Sequence, residues 1–318
     1  MATTRSTKKG TFRRRFAPYL PLALAALAQI GVVGSSPGTG GGAVEAATPP
    51  VAVHGPKPTG GPFVPGCAYP FADIEIAHSI DADCGISGDA TDGPNQAQNQ
   101  AKNNFCAAGN AITVTANDLV QLQAAVVKAN IPSGSHDQLP PNRSVLKDLA
   151  KTSKGEALGE GVKVRLVALV EKAHYSDVPS AAERAQGKGG EGVNCNEFLN
   201  ETNDIHIPLV QTPGANECTS VTAEMSPHAR PVGWTPAALN VAGQVVRVTG
   251  QLFFDGSHKL CVNDKGVPGN PARASLWEIH PVYALDVCSG KTITECPVDD
   301  ESKWHPLEAK SGAASPSP

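Results

Sequence analysis

Apolar and polar residues alternate with a period of two along five stretches of the second half of the chain. That spacing belongs to half-buried β-strands, in which successive side chains point to opposite faces. The stretches are VKVRLVALVEKAHY from Val162, NDIHIPLV from Asn203, TSVTAEM from Thr219, QVVRVTGQLFFD from Gln244 and SLWEIHPVYALDV from Ser275. On the second, Ile205, Ile207 and Leu209 share one face and Asp204 and His206 the other. On the third, Val221, Ala223 and Met225 oppose Thr222 and Glu224. On the fourth, Val246, Val248, Leu252 and Phe254 oppose Arg247, Thr249, Gln251 and Asp255. On the fifth, Trp277 and Ile279 oppose Glu278 and His280, and Pro281 then breaks the ladder, as proline does at an edge or a bulge. An apolar inner face and a polar outer face are the pattern of a small closed barrel, with Trp277 filling its core. The turn-rich insert WTPAALNVAG separates the third and fourth strands, and Trp234 within it is placed to cap the barrel mouth.

Upstream the periodicity changes. AITVTANDLVQLQAAVVKANIPSG reads as a short strand, a cap at Asn117 or Asp118, a helix with Leu119, Leu122, Val126 and Val127 on one side, and a Pro-Gly stop. A second short helix is expected from Ser144 to Thr152. These elements make residues 67–155 a small α/β segment expected to pack on a barrel spanning 156–290.

The ends of the chain read differently. Lys8, Lys9, Arg13, Arg14 and Arg15 precede an apolar run from Phe16 to Val33, and small residues follow at Ala43 to Ala47, the order of an export signal over residues 1–46. Arg13, Arg14 and Phe16 also fit a loose twin-arginine pattern, so both export routes stay open. The run is about 18 residues long and holds Pro18 and Pro21, short for a membrane span. Membrane contact is therefore expected only through this segment, if it stays uncleaved. A flexible Gly/Pro linker follows over 47–66, and residues 291–318 read as a disordered tail that includes His305.

The eight cysteines all lie beyond the signal and form no C-x-x-C pair, which favours disulfides over zinc and a secreted or envelope location. Local pairing suggests Cys84 with Cys106 and Cys195 with Cys218. The remaining four then tie the loop after the fourth strand and the tail. A formal net charge of -4 and 5% aromatic residues provide neither the basic groove nor the stacking platform of a nucleic-acid protein. No G-x-S-x-G elbow, P-loop, dinucleotide fingerprint or H-E-x-x-H helix occurs, so serine hydrolase, nucleotide-binding and zincin readings have no support.

Three strands, a short helical link and two strands is the element order of the OB-fold, and the chain resembles that fold from about Gly161 to Cys288. The expected class is thus mainly β: a five-stranded OB-like Greek-key barrel with a small preceding α/β segment. The chain also resembles a functionally uncharacterised family of exported, actinobacterial-type bacterial proteins. The residues that carry this are Asp204 and His206, Gly250 through Asp255 with His258, Trp277 through Pro281, and NNFCA around Cys106. That likeness implies a fold and no activity. Thermonucleases, another exported OB-fold family, show the scaffold's reach, but their acid and arginine motifs are not matched here.

The OB strand order implies that His206, Glu224, Glu278 and His280, with Asp255 and His258 at the end of the fourth strand, lie on one outer patch. Two imidazoles with one or two carboxylates can hold a divalent metal, and an open coordination position would activate water. The competing reading is a solvated polar face with histidines hydrogen-bonded to acids; His174 and His228, in turn-like contexts, fall under it more readily still. Two functions follow: an exported, disulfide-stabilised barrel binding an unidentified envelope or extracellular partner or serving structurally, and, alternatively, a metal-dependent hydrolase.

Overall fold

The computed structural model describes residues 84–307, apart from 141, 232 and 242. The expected signal and linker and the end of the expected tail lie outside the described residues.

Helices α1 (Gly93–Lys102) and α2 (Ala116–Lys128) flank the short strand β1 (Ile112–Val114). A two-stranded ribbon, β2 (Ala150–Lys151) with β3 (Ala157–Leu158), leads into β4 (Lys163–Val170) and β5 (His174–Tyr175). After the short helix α3 (Ala181–Ala185) come β6 (Ile205–Val210) and β7 (Val221–Met225). Helix α4 (Pro236–Leu239) precedes β8 (Val245–Phe254), β9 (Trp277–Cys288) and β10 (Trp304–Pro306).

Five of these strands close a mixed barrel in the order β4–β8–β9–β7–β6 and back to β4. Within the ring only β7 and β9 run parallel, so the connectivity is that of the OB-fold. The alternation sorts as the sequence implies: Ile205, Ile207, Leu209, Val221, Ala223, Val248, Leu252, Phe254, Trp277 and Ile279 fill one core, which Trp234 joins. Each such fully buried aliphatic or aromatic side chain is worth roughly 1.5–3 kcal/mol.

The predicted first strand ends at Val170, because charged Glu171 and Lys172 interrupt it; His174–Tyr175 then forms a separate short strand on β6. Pro281 does not end the fifth strand. It sits in a bulge, where Gly250 pairs with Val282 and Leu252 with Ile279, so His280 and Pro281 together face Gln251. Gly250 is needed there, since a Cβ would stand 2.5 Å from the Pro281 carbonyl oxygen.

In α2 the cap is Thr115 rather than Asn117 or Asp118, with Asp118 returning the bond in a capping box. Leu119, Leu122 and Val126 are buried as expected, but Val127 faces solvent. The expected helix over Ser144–Thr152 is instead a 3-10 turn at Arg143–Leu146 followed by β2. Residues 291–307, expected to be disordered, are folded: β10 pairs with β9, and His305 lies opposite Val287. Cys288–Cys296 closes this stretch, and Arg247 stacks on Trp304 while bonding Asp286, Glu301 and the Val298 carbonyl. A largely polar sequence is thereby held by one arginine, one disulfide and the burial of Trp304 and Leu307.

The disulfides also differ from the local pairing. Cys84 joins Cys195, Cys218 joins Cys261, and Cys288 joins Cys296; Cys106 is disulfide-bonded as well. Among the described residues no helix is long and apolar enough to cross a membrane.

Candidate functional site

Register brings the outer-face residues into rows. His206 on β6 lies opposite Glu224 on β7, and the parallel pairing of Thr222 with Glu278 carries the same face on to β9. His206, Glu224 and His280 therefore stand side by side across three strands. Glu224 is the hub: Oε1 meets His206 Nδ1 at 3.0 Å and Oε2 meets His280 Nδ1 at 2.9 Å. Asp204, just before β6, points Oδ2 at His280 Nε2 from 3.6 Å. Glu278 Oε2 lies 3.7 Å from His280 Nδ1, while its other oxygen pairs with Arg273. Arg273 also bonds Asp255 Oδ2 at 2.8 Å, and Asp255 pairs with His258.

The six predicted residues thus fall into two linked groups. His206, Glu224 and His280 form one, Asp255 and His258 the other, with Glu278 and Arg273 between them. The expectation that this face is solvated is overturned: Asp204, Glu224 and His280 are 0%, 5% and 1% exposed. Only His258, with about a quarter of its side chain accessible, reaches toward solvent.

Among the described residues the cover comes from two places in the chain. Helix α1 is polar all round, GPNQAQNQAK, and starts at an Asp92 cap with a proline in the first turn. Its buried side is Gln98, Ala101 and Lys102, which suits a polar target. Lys102 Nζ stands 3.8 Å from Glu224 Oε2, and Gln251 donates to the Ala101 carbonyl at 2.9 Å. Tyr283 then pins the segment beyond the helix, donating to the Asn104 carbonyl at 2.7 Å and accepting from Ala107 N at 3.0 Å.

The second cover is the loop between β5 and β6. Asn194 donates to Asp204 Oδ1 and Glu191 Oε2, both at 3.0 Å, and Asp204 N donates to the same Glu191 oxygen. The two covers meet where Cys84 bonds Cys195 and Asp89 N donates to the Gly192 carbonyl. At that meeting Gly88 has φ +56°, and a Cβ on it would stand 2.2 Å from the Gly192 carbonyl oxygen. OB barrels use the face of their second and third strands and the adjoining loops to bind ligands. Here that face is occupied by the chain itself.

Burial and charge shift the ionisable groups. Burial opposes ionisation of Glu224, yet Lys102 and the bonds from His206 and His280 outweigh it and hold the carboxyl well below its usual range. Burial likewise opposes a charged His280, but Glu224, Glu278 and Asp204 raise it to about 10. Asp204 and Glu191 are pushed up by burial, Glu191 further by the Asp204 carboxylate beside it. Burial works against both partners of the second group too, but His258 and Arg273 hold Asp255 down, and Asp255 raises His258.

Chemically, Asp204, Glu224 and His280 bring two carboxylates and one imidazole within reach of each other, the donor types of a metal site. Glu224 takes Nδ1 while Asp204 faces Nε2 on the opposite edge of the ring, so the three cannot share one ion, and His280 is held protonated between them. The sequence reading placed Asp204 on this face but left it out of the ligand set. It also missed Lys102, Glu191, Asn194 and Arg273, all of which enter from loops or a helix end where no strand alternation marks them. Compared with known protein families, characterised proteins and solved structures, the chain matches none.

Proposed function

We propose that this protein works outside the cytoplasm, secreted or at the cell envelope, as a disulfide-clasped OB barrel in a binding or structural role. One observation carries the reading. The barrel face that commonly receives ligands is closed by the chain's own segments, and Cys84–Cys195 fastens the closure. A set of long-range disulfides suits an oxidising compartment. It gives rigidity to a protein whose connections are irregular. The hydrolase reading of the same residues draws less support, because a water-activating site needs an open position and a route for substrate, and Asp204, Glu224 and His280 are buried.

The test is fractionation of a bacterium expressing the full chain, with non-reducing peptide mapping of the recovered protein. The expected result is protein outside the cytoplasm carrying Cys84–Cys195, Cys218–Cys261 and Cys288–Cys296. Reduced protein retained in the cytoplasm contradicts the proposal.

A further inference from the structure

We infer that the β5–β6 loop is a proton-gated cover, closed over the barrel face while His280 is an imidazolium and released between Cys195 and β6 once that proton is lost. The arrangement around the ring carries the inference. Nδ1 lies 2.9 Å from Glu224 Oε2, with Glu278 Oε2 at 3.7 Å, and Nε2 faces Asp204 Oδ2 at 3.6 Å. A neutral imidazole has one N–H and one lone pair. With carboxylates on both edges, a neutral ring would turn its lone pair on one of them, and at 1% exposure that repulsion is little screened.

The two edges are not equally fixed. Glu224 is held on β7 by His206 at Oε1 and has Lys102 beside Oε2. Asp204 stands at the loop end just before β6, and its Oδ2 accepts no hydrogen bond among the described residues. When the proton leaves, the remaining N–H stays with Glu224, the shorter contact, and Nε2 presents its lone pair to Asp204. Asp204 is therefore the group that moves out to water. It draws the loop with it, because Asn194 bridges Asp204 Oδ1 and Glu191 Oε2.

Glu191 on the loop acts in the same sense. Its Oε2 accepts from Asn194 and from Asp204 N, yet burial and the neighbouring Asp204 carboxylate raise its carboxyl well above the usual range. Closure thus takes up protons at two places, His280 on the barrel and Glu191 on the loop. The remaining charges near the ring are Lys102 on α1 and Arg273, which pairs with Glu278 and Asp255. His206 meets the other oxygen of Glu224, and His258 pairs with Asp255. From β8 come uncharged groups, the Phe253 ring at 5.5 Å and the Gln251 amide on the His280 carbonyl.

The direction follows from these contacts. His280 is raised from 6.5 to about 10 in the closed protein, so its contribution to closure is complete below 6.5 and is lost as pH rises toward 10. Opening stays local, since Cys84–Cys195 tethers the loop and Lys102 keeps α1 beside Glu224.

The experiment uses the oxidised full-length protein. NMR of isotope-labelled histidine follows the His280 ring, assigned through its contact with Phe253. Amide exchange, corrected for its intrinsic pH dependence, follows Asn196, Glu197 and Asp204, whose N–H groups bond within the cover. His280 is expected to stay cationic through neutral pH. Protection of the three loop amides should fall by about a hundredfold between about pH 6 and about pH 9, while α1 and β7 keep theirs. Asp204→Asn keeps an acceptor for Asn194 and offers Nε2 an N–H, so its loop protection should lose most of the pH dependence. Glu191→Gln should reduce that dependence by a smaller factor. A wild-type His280 that titrates at its ordinary value overturns the proposal, as do loop amides indifferent to the loss of its proton. Undiminished pH dependence in folded Asp204→Asn overturns it as well.

Discussion

Two of the ion networks on the outside of this barrel, around Arg247 and around Glu224, are built on different terms. Around Arg247 one guanidinium meets Asp286 and Glu301 with short, well-aligned bonds, and Glu301 stays largely open to water. Around Glu224 the carboxylates outnumber the permanent cations, Asp204, Glu224, Asp255, Glu278 and His280 are sealed, and Asp204 Oδ2 and Glu278 Oε2 have no donor among the described residues. The first network folds a polar C-terminal stretch onto β9. The second is kept out of water by a cover that a disulfide must hold, which is why the chain spends a cysteine pair 111 residues apart there and only a local pair, eight residues apart, at the other network.

Breaking the two clasps separates these terms most strongly. By loop entropy the Cys84→Ala, Cys195→Ala variant should lose about 5 kcal/mol and the Cys288→Ala, Cys296→Ala variant about 2.5 kcal/mol, measured by urea unfolding. Equal losses would mean that the cover adds nothing beyond its neighbours. Next in size, Glu224→Ala strands Lys102 and leaves His206 and His280 without their acceptor. A cost of about 3–5 kcal/mol is expected for removing one partner of such a buried set. Arg247→Ala, at the half-open network, should cost about 1–2 kcal/mol and free β10, visible as lost amide protection at Trp304 and His305.

The smallest effect is in pH. Asp255, depressed in the fold, contributes stability that is present above its unfolded value of 3.8 and lost as pH falls below it. His258, raised in the fold, contributes stability that is fully present below 6.5 and lost as pH rises through its folded value. His280 acts in the same sense, its contribution fading between 6.5 and about 10. Melting temperature should therefore decline on both sides of the window from 3.8 to 6.5, and His258→Gln should flatten part of the alkaline decline. An unchanged alkaline limb in that variant would show that Asp255 does not hold the His258 proton against burial and the charges of Arg273 and Lys102.

The barrel was legible because β6 and β7 alternate, as does β8 apart from Gly250 and Phe253, and their order of appearance matches one closed topology. The same alternation could not tell what covers the outer face. Asp204, His206, Glu224 and Glu278 read alike whether water or another polar surface lies against them. Helix α1 escaped notice for the matching reason: a helix that packs on a charged face needs Gln98 and Lys102 rather than an apolar stripe. The pairing of Cys84 with Cys195 depends on two loops meeting in space, which no local spacing encodes.

The central claim is that the cover is a closed part of the fold, held by its disulfide. Hydrogen exchange on the oxidised full-length protein tests it directly, comparing α1 and residues 189–203 with β7, before and after substitution of Cys84 and Cys195. The account predicts protection of α1 approaching that of β7 in the oxidised protein, lost selectively from the two covering segments when the disulfide is removed. Rapid exchange throughout α1 in the oxidised protein would contradict it.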